Sequence, residues 1–123
     1  SQKEIMESII QHYILLAVEH GECTESGDIE NGNKLHMTIM MLISQIQTKS
    51  KDIQKLFFET LEHESDAVKV WTATALISTI ESESIRVLKH VAKSNKTAHG
   101  TTARSTIDWW EKGLLKDIPD WNA

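Results

Sequence analysis

The side chains in this chain that could do chemistry are six histidines, one cysteine and a surplus of carboxylates. None of the histidines stands in an HExxH or HxH arrangement, and none has a second ligand at i, i+4, so zinc-site spacing is missing. The segment most similar to a metal site is His20-Gly21-Glu22-Cys23, which offers two or three ligands but has no partner ligands elsewhere in the sequence. We therefore expect no bound metal and no cofactor.

The sequence contains none of the short motifs that mark catalytic sites. It has no GxSxG, P-loop or GxGxxG pattern. Cys23 has no base or cation beside it in the sequence, so a reactive thiolate is not expected. An enzyme or a small-molecule-binding protein would need a polar pocket that the sequence does not locate. The expectation is a protein that is not an enzyme.

The carboxylates are concentrated in the first quarter of the chain. The net charge is −5, and residues 1–32 hold seven acids against the single base Lys3. The seven acids are Glu4, Glu7, Glu19, Glu22, Glu25, Asp28 and Glu30. Such a region repels a phosphate backbone and attracts a basic protein. It predicts no nucleic-acid partner, and it leaves open a protein-docking surface or a merely solvated one.

Length and hydropathy favour one small domain in the cytoplasm. The 123 residues are enough to bury one modest core. The lone Cys23 can form no internal disulfide, and no apolar run approaches the ~20 residues of a membrane span. We expect a single domain over residues 1–123, with residues 114–123 as a C-terminal tail and no membrane association.

Helical periodicity positions these side chains along almost the whole chain. With one proline and five glycines there are few obligatory breaks. Apolar residues at i, i+3 and i+4 spacing predict six helices. Their expected spans are 3–20, from about 32 to the mid-forties, 51–62, 66–80, from 82 or 84 to about 92, and from 97 or 100 to 112. Residues 22–33 are polar and contain two glycines, which predicts a loop after a helix end at Gly21.

The second predicted helix carries three closely spaced methionines, Met37, Met40 and Met41. Two interpretations apply to them. Methionine fills irregular gaps in cores, and it also forms adaptable binding surfaces. The broad apolar pattern of this helix favours core filling.

The later helices look like two copies of a hairpin. The helix containing Leu56 matches the one containing Val87 at an offset of 31 residues, and Val68 matches Ala103 at an offset of 35. Helical-hairpin repeats have periods of about 34 to 47 residues and stack to bury their apolar stripes. The expected fold is all-α, a stack of about three helical hairpins.

The segment SDAVKVWTATALIS resembles the second helix of a HEAT or armadillo repeat, with Asp66 as its acidic cap and Val68-Lys69 where the consensus has Val-Arg. Together with Asn33-Lys34 and the Ala103, Ile107, Trp110, Gly113 spacing, it resembles a small bacterial family of HEAT-like helical proteins of unassigned function. The likeness covers about residues 27–115. Proteins of this build include immunity proteins of contact-dependent growth inhibition and related toxin systems, so the resemblance implies protein binding.

Two adjacent tryptophans, Trp109 and Trp110, cannot both face one core, because neighbouring helical residues point about 100° apart. Trp110 continues the i, i+4, i+7 stripe of Ala103 and Ile107, which places it in the core. Trp109 is then either covered by the tail as an end cap or exposed as an anchor for a partner. The apolar residues of the tail favour coverage.

These patterns and the resemblance lead to one functional expectation. The chain is expected to be a non-enzymatic, cytoplasmic immunity protein that binds a basic toxin domain, a nuclease by preference, and occludes its active site. The alternative is a general HEAT-like scaffold or regulator with another protein partner. The candidate partner-binding residues are Glu19, Glu22, Glu25, Asp28, Glu30, Lys69, Arg104, Asp108, Trp109 and Glu111.

Overall fold

A computed structural model describes residues 1–122, and within them the chain is helical with no β-strand. The six α-helices are α1 (Gln2–Ser26), α2 (Ile29–Gln47), α3 (Lys51–Glu59), α4 (Asp66–Leu76), α5 (Glu81–Ser94) and α6 (Ala98–Glu111). A 3-10 turn, Thr60–Glu62, follows α3. The all-α prediction of six helices is confirmed.

The chain divides into two compact units, one of residues Ser1–Thr60 and one that begins at Leu61. In the first unit α1 packs along α2, and α3 packs against both. Its core is centred on Tyr13 and Phe57, whose rings lie 4.9 Å apart and are fully buried. Ile39 and Ile46 of α2 are also fully buried, and their separation of seven residues, two helical turns, places them on the same side of the helix.

The loop predicted for residues 22–33 is wrong, because these residues are helical except at Gly27 and Asp28. Gly27 ends α1 in the left-handed conformation (φ 77°), and its N–H donates to the Cys23 carbonyl. Asp28 then caps α2 by accepting from the Asn31 N–H at 3.2 Å. Gly21, the predicted helix end, is instead buried within α1. A glycine cap followed at once by an aspartate cap needs only two residues to reverse the chain.

Core filling by the α2 methionines is also wrong. Met37 is 64% exposed, Met41 62% and Met40 36%. The buried side of α2 is formed by Ile39, Ile43 and Ile46, and the methionines lie outside this stripe. Ile5, which has i, i+4 spacing with Ile9 and Tyr13, is nevertheless 60% exposed near the start of α1.

In the second unit α4 packs against α5, and α5 pairs with α6. Ser65 caps α4 by accepting from the Val68 N–H, and Asp66, expected as the cap, is the first residue of the helix. Eight buried residues form the core of this unit: Leu61, Val70, Ala73, Ile77, Val87, Leu88, Val91 and Ala103. Trp110 and Ile107 pack at the margin of this cluster, so Trp110 is part of the core but only half-buried. Gly113 (φ 70°) follows the end of the last helix, which was predicted at residue 112.

The C-terminal tail folds back over the second unit. Leu115 and Ile118 pack against the core of this unit, and Trp121 is 5% exposed. The Trp121 indole N–H donates to the Ala75 carbonyl at 3.0 Å. The tail therefore covers the end of α4.

Candidate functional site

Five exposed carboxylates surround the turn between α1 and α2, and we call them the acidic turn. They are Glu19, Glu22, Glu25, Asp28 and Glu30. The turn takes only two residues, so the end of one helix and the start of the next bring all five to one end of the first unit. The sequence predicted this concentration of charge but placed it on a loop.

The helix ends make these five carboxylates unequal. Asp28 and Glu30 stand at the positively polarised start of α2, where negative charge stabilises the helix. Glu22 and Glu25 stand near the negatively polarised end of α1, whose last turn holds no basic residue. There a carboxylate interacts unfavourably with the helix dipole.

The half-buried thiol of Cys23 lies inside the acidic turn. Partial burial, followed by the negative charges of Asp28, Glu19 and Glu22, raises the pKa of the Cys23 thiol. The thiol is therefore protonated at neutral pH and unsuited to nucleophilic chemistry. Hydrogen bonds from the Asn31 side chain and N–H lower the pKa of Asp28, so the capping carboxylate is charged.

Lys34 is the basic residue closest to this turn in the sequence, and its ammonium lies 3.6 Å from Glu30. An open depression of about 390 Å³ lies beside it, lined by Glu19, Glu22, Cys23, Asn31, Lys34 and Leu35. One turn away, the rings of His20 and His36 meet across the two helices with centroids 6.0 Å apart. The end of the hairpin thus offers carboxylates and imidazoles at its surface, with one lysine among them.

Two of the predicted binding residues in the second unit are engaged in the fold. Lys69 has a side chain only 19% exposed, and its ammonium lies 3.9 Å from Asp66. The Arg104 guanidinium donates to the Ala92 carbonyl at 2.7 Å, joining α6 to α5, and to the Thr101 hydroxyl at 3.2 Å. Arg104 joins two helices and Lys69 pairs within α4, which leaves both cations little freedom to reach a partner.

The other three predicted residues of this unit lie together near the end of α6. Trp109 is 52% exposed, so the tail does not cover it and the expected cap is wrong at this residue. The tail uses Trp121 instead, because that side chain reaches the end of α4. Asp108 pairs with Lys112 at 2.9 Å, and Glu111 is exposed. These three residues and the acidic turn belong to different units.

A cleft that the sequence analysis missed lies between the start of α5 and the end of α6. The Trp110 indole N–H donates to the Glu81 carboxylate at 2.6 Å across it. The cleft measures about 720 Å³ and is lined by Glu81, Ser82, Ile85, Arg86, Lys89, Trp110 and Glu111. Hydrogen bonds to Glu62 and Glu83 raise the pKa of Arg86 and hold its guanidinium in place. The i, i+3 spacing of Glu83 and Arg86 was the one signal in the sequence.

Metal ligands do not gather in the described part of the chain. Across residues 1–122, no three histidine, cysteine or carboxylate side chains lie close enough together to hold a metal ion. Within the same residues, no helix has the length and apolar character to cross a membrane.

Comparison with known proteins adds one structural relative. No protein-family model matches the sequence, and no curated protein matches it. The fold is similar to that of the protein RPA1889 from Rhodopseudomonas palustris CGA009, with a TM-score of 0.78 and 13% sequence identity. The superposition covers 91% of this chain and 93% of that one. At this identity the likeness extends to the all-α fold alone.

Proposed function

We propose that this chain is a non-enzymatic protein-binding module, an immunity protein that neutralises a basic toxin domain by covering its active site. One observation carries the proposal: the two-residue turn between α1 and α2 brings five exposed carboxylates to one end of the first unit. Clustered charge of one sign costs self-repulsion in the folded state, which favours a role in binding.

The acidic turn would act first through the rate of encounter. Clustered exposed charge steers an oppositely charged partner and sets specificity, while a few buried anchors provide most of the affinity. A nuclease domain is the partner we favour, because proteins that hold a phosphate backbone carry basic surfaces. The exposed Trp109 is the anchor that we assign in the second unit. The lone Cys23, without an internal partner, fits action in the reducing cytoplasm.

The test first asks whether a toxin reading frame lies beside this gene. The toxin domain of such a frame is then the binding partner for the parent protein and for a variant with a neutral acidic turn. Replacing Glu22, Glu25, Asp28 and Glu30 with Gln or Asn should slow association about tenfold or more at low salt and flatten its salt dependence. The matched control removes the same charge elsewhere, by Gln substitution of Glu4, Glu7, Glu59 and Glu64, which are all exposed. Surface plasmon resonance across a salt series gives both rates.

Equal slowing in the two variants would assign the effect to net charge and refute the role of the acidic turn. Trp109→Ala in the same assay should weaken binding by about 2 kcal/mol if this side chain is an anchor. Unchanged affinity would remove it from the interface.

A further inference from the structure

Two histidines meet on the surface of the first unit. His20 lies in the last third of α1 and is half-buried, and His36 lies in the middle of α2 and is exposed. Their ring centroids are 6.0 Å apart, with the ring planes inclined at 49°. Because α1 and α2 pack along each other within one compact unit, this contact belongs to the fixed part of the fold.

The distance between the two rings suits a shared metal ion. A metal–nitrogen bond of about 2.0 Å places the centre of an imidazole ring roughly 3 Å from the ion, so two rings that bind one ion have centres roughly 4.5 to 6 Å apart. The observed 6.0 Å lies at the upper end of that range. Each imidazole has two nitrogens, so a ring can bind a protein group through one of them and the ion through the other.

The sequence did not indicate this pair, because 16 residues separate His20 from His36. The segment His20-Gly21-Glu22-Cys23 lacked a partner ligand within any recognisable spacing. The packing of α1 along α2 supplies that ligand by bringing His36 beside His20.

The charge around the pair favours a cation. Glu19 directly precedes His20, Glu22 follows two residues later, and both carboxylates are exposed. They belong to the acidic turn, whose field raises the local concentration of cations. The imidazoles then select among the cations, because Mg²⁺ and Ca²⁺ prefer oxygen ligands whereas zinc, nickel and copper bind imidazole nitrogen.

We propose that His20 and His36 form a two-histidine site for a divalent transition-metal ion of the zinc, nickel and copper class. Two protein ligands are fewer than the three or four of catalytic and structural zinc sites, so water completes the coordination. The ion joins α1 to α2 and offsets part of the charge of the acidic turn. This proposal does not rest on the toxin partner.

Calorimetric titration of the untagged, full-length protein with NiCl2 and with ZnCl2 tests the site. Each ion should bind at about one equivalent per chain. His20→Gln or His36→Gln should weaken binding about tenfold or more, because either change leaves a single imidazole ligand. His12→Gln is the matched control, since His12 is exposed on the same helix as His20, and it should leave the affinity within about twofold of the parent value.

Copper identifies the ligands directly. With one equivalent of Cu²⁺, the electron paramagnetic resonance spectrum of the parent should show coupling to two imidazole nitrogens, and that of either histidine variant to one. Without metal, both variants should keep the helical circular dichroism of the parent, because glutamine is a good helix former. A loss of metal binding then reports on the ligands rather than on the fold.

Three results would overturn the proposal. The first is no binding of any of these ions at millimolar concentration. The second is equal affinity in the parent and in both histidine variants, which would place the ion on the carboxylates of the acidic turn. The third is binding that Cys23→Ser abolishes and His36→Gln leaves intact, which would make Cys23 the second ligand.

Discussion

Gly100, in the first turn of α6, lies directly against the backbone of the preceding turn. A Cβ atom at this position would stand 2.0 Å from the Asn95 carbonyl oxygen. Because that oxygen belongs to the backbone, no side-chain rotation can relieve the overlap. Asn95 is itself fixed, because its side-chain amide donates to Asp66 at 2.8 Å and its side-chain oxygen accepts from the Thr97 N–H. Glycine is required at this close approach of two backbone segments.

Gly100→Ala should therefore destabilise the protein by about 1–3 kcal/mol, as overpacking does in a rigid site. Gly32→Ala is the control, since Gly32 lies inside α2 and its added Cβ would meet only Cys23 Cβ at 3.5 Å. That change should stabilise by up to about 1 kcal/mol, because alanine favours helix over glycine. Urea unfolding measures both, and a gain in stability for Gly100→Ala would contradict the close approach.

Asp28 links stability to pH through its capping hydrogen bonds. Its pKa is lowered from the ordinary value of 3.8, mainly by the Asn31 side chain and N–H. The folded state therefore binds this proton more weakly than the unfolded state does. The stabilisation is fully present above about pH 3.8 and is lost as the pH falls through the lowered pKa.

Asp28→Asn keeps an oxygen for the cap but removes the charge. The parent should be the more stable of the two at pH 6, and the difference should shrink as the pH falls below 3.8 and the carboxyl takes up a proton. Thermal unfolding of both proteins over this range tests it. A difference that stays constant with pH would show that the charge of Asp28 contributes nothing.

At the scale of elements, the tail is a structural part of the second unit rather than an appendage. Trp121 is 5% exposed, and its indole N–H donates to the Ala75 carbonyl. The Trp121 backbone N–H donates to the Thr79 hydroxyl, and the Ser78 hydroxyl donates to the Pro119 carbonyl. Trp121→Ala should cost about 3–5 kcal/mol, since it removes a large buried side chain. Trp109→Ala, which changes a half-exposed tryptophan, should cost less than about 1 kcal/mol.

Trp121→Phe separates packing from hydrogen bonding, because it keeps most of the apolar volume and loses the indole donor. It should cost less than the alanine change but leave the Ala75 carbonyl without this donor. Equal losses for Trp109→Ala and Trp121→Ala in chemical denaturation would contradict the assignment of Trp121 as the side chain that anchors the tail.

The helix ends show which elements could be predicted. Ser50 and Ser65 each accept the N–H of the third residue beyond, and Gly113 has the left-handed conformation, so α3, α4 and α6 follow sequence signals. The α1–α2 turn was missed because polar residues and glycines suggested a loop. The adjacent pair Gly27-Asp28, a C-cap followed by an N-cap, was the signal that could have located it.

At the scale of the whole molecule, the sequence predicted which charged residues lie at the surface better than it predicted which apolar residues do. The acidic turn was predicted because charged side chains stay at the surface, whether a helix or a loop carries them. Met37, Met40 and Met41 were assigned to the core because helical periodicity identifies the buried side only where one stripe is apolar. Trp109 was expected to be covered because the tail contains apolar residues. Lys69 is held by Asp66, and Arg104 is held by the Ala92 carbonyl. The partner of Arg104 lies 12 residues away, so no local sequence pattern could have predicted this contact.

The hydrogen bond between the Trp121 indole and the Ala75 carbonyl has a consequence for the order of folding events. Most helix pairing joins neighbours in sequence, as in α1 with α2 and α5 with α6, and local pairings of this kind form rapidly. The Trp121–Ala75 bond instead spans 46 residues. Closing so long a loop costs conformational entropy, and the contacts of Trp121 offset that cost only once α4 has formed. Seating of Trp121 should therefore be among the last events of folding and the first to be undone in unfolding, so the indole fluorescence should respond before the helices melt.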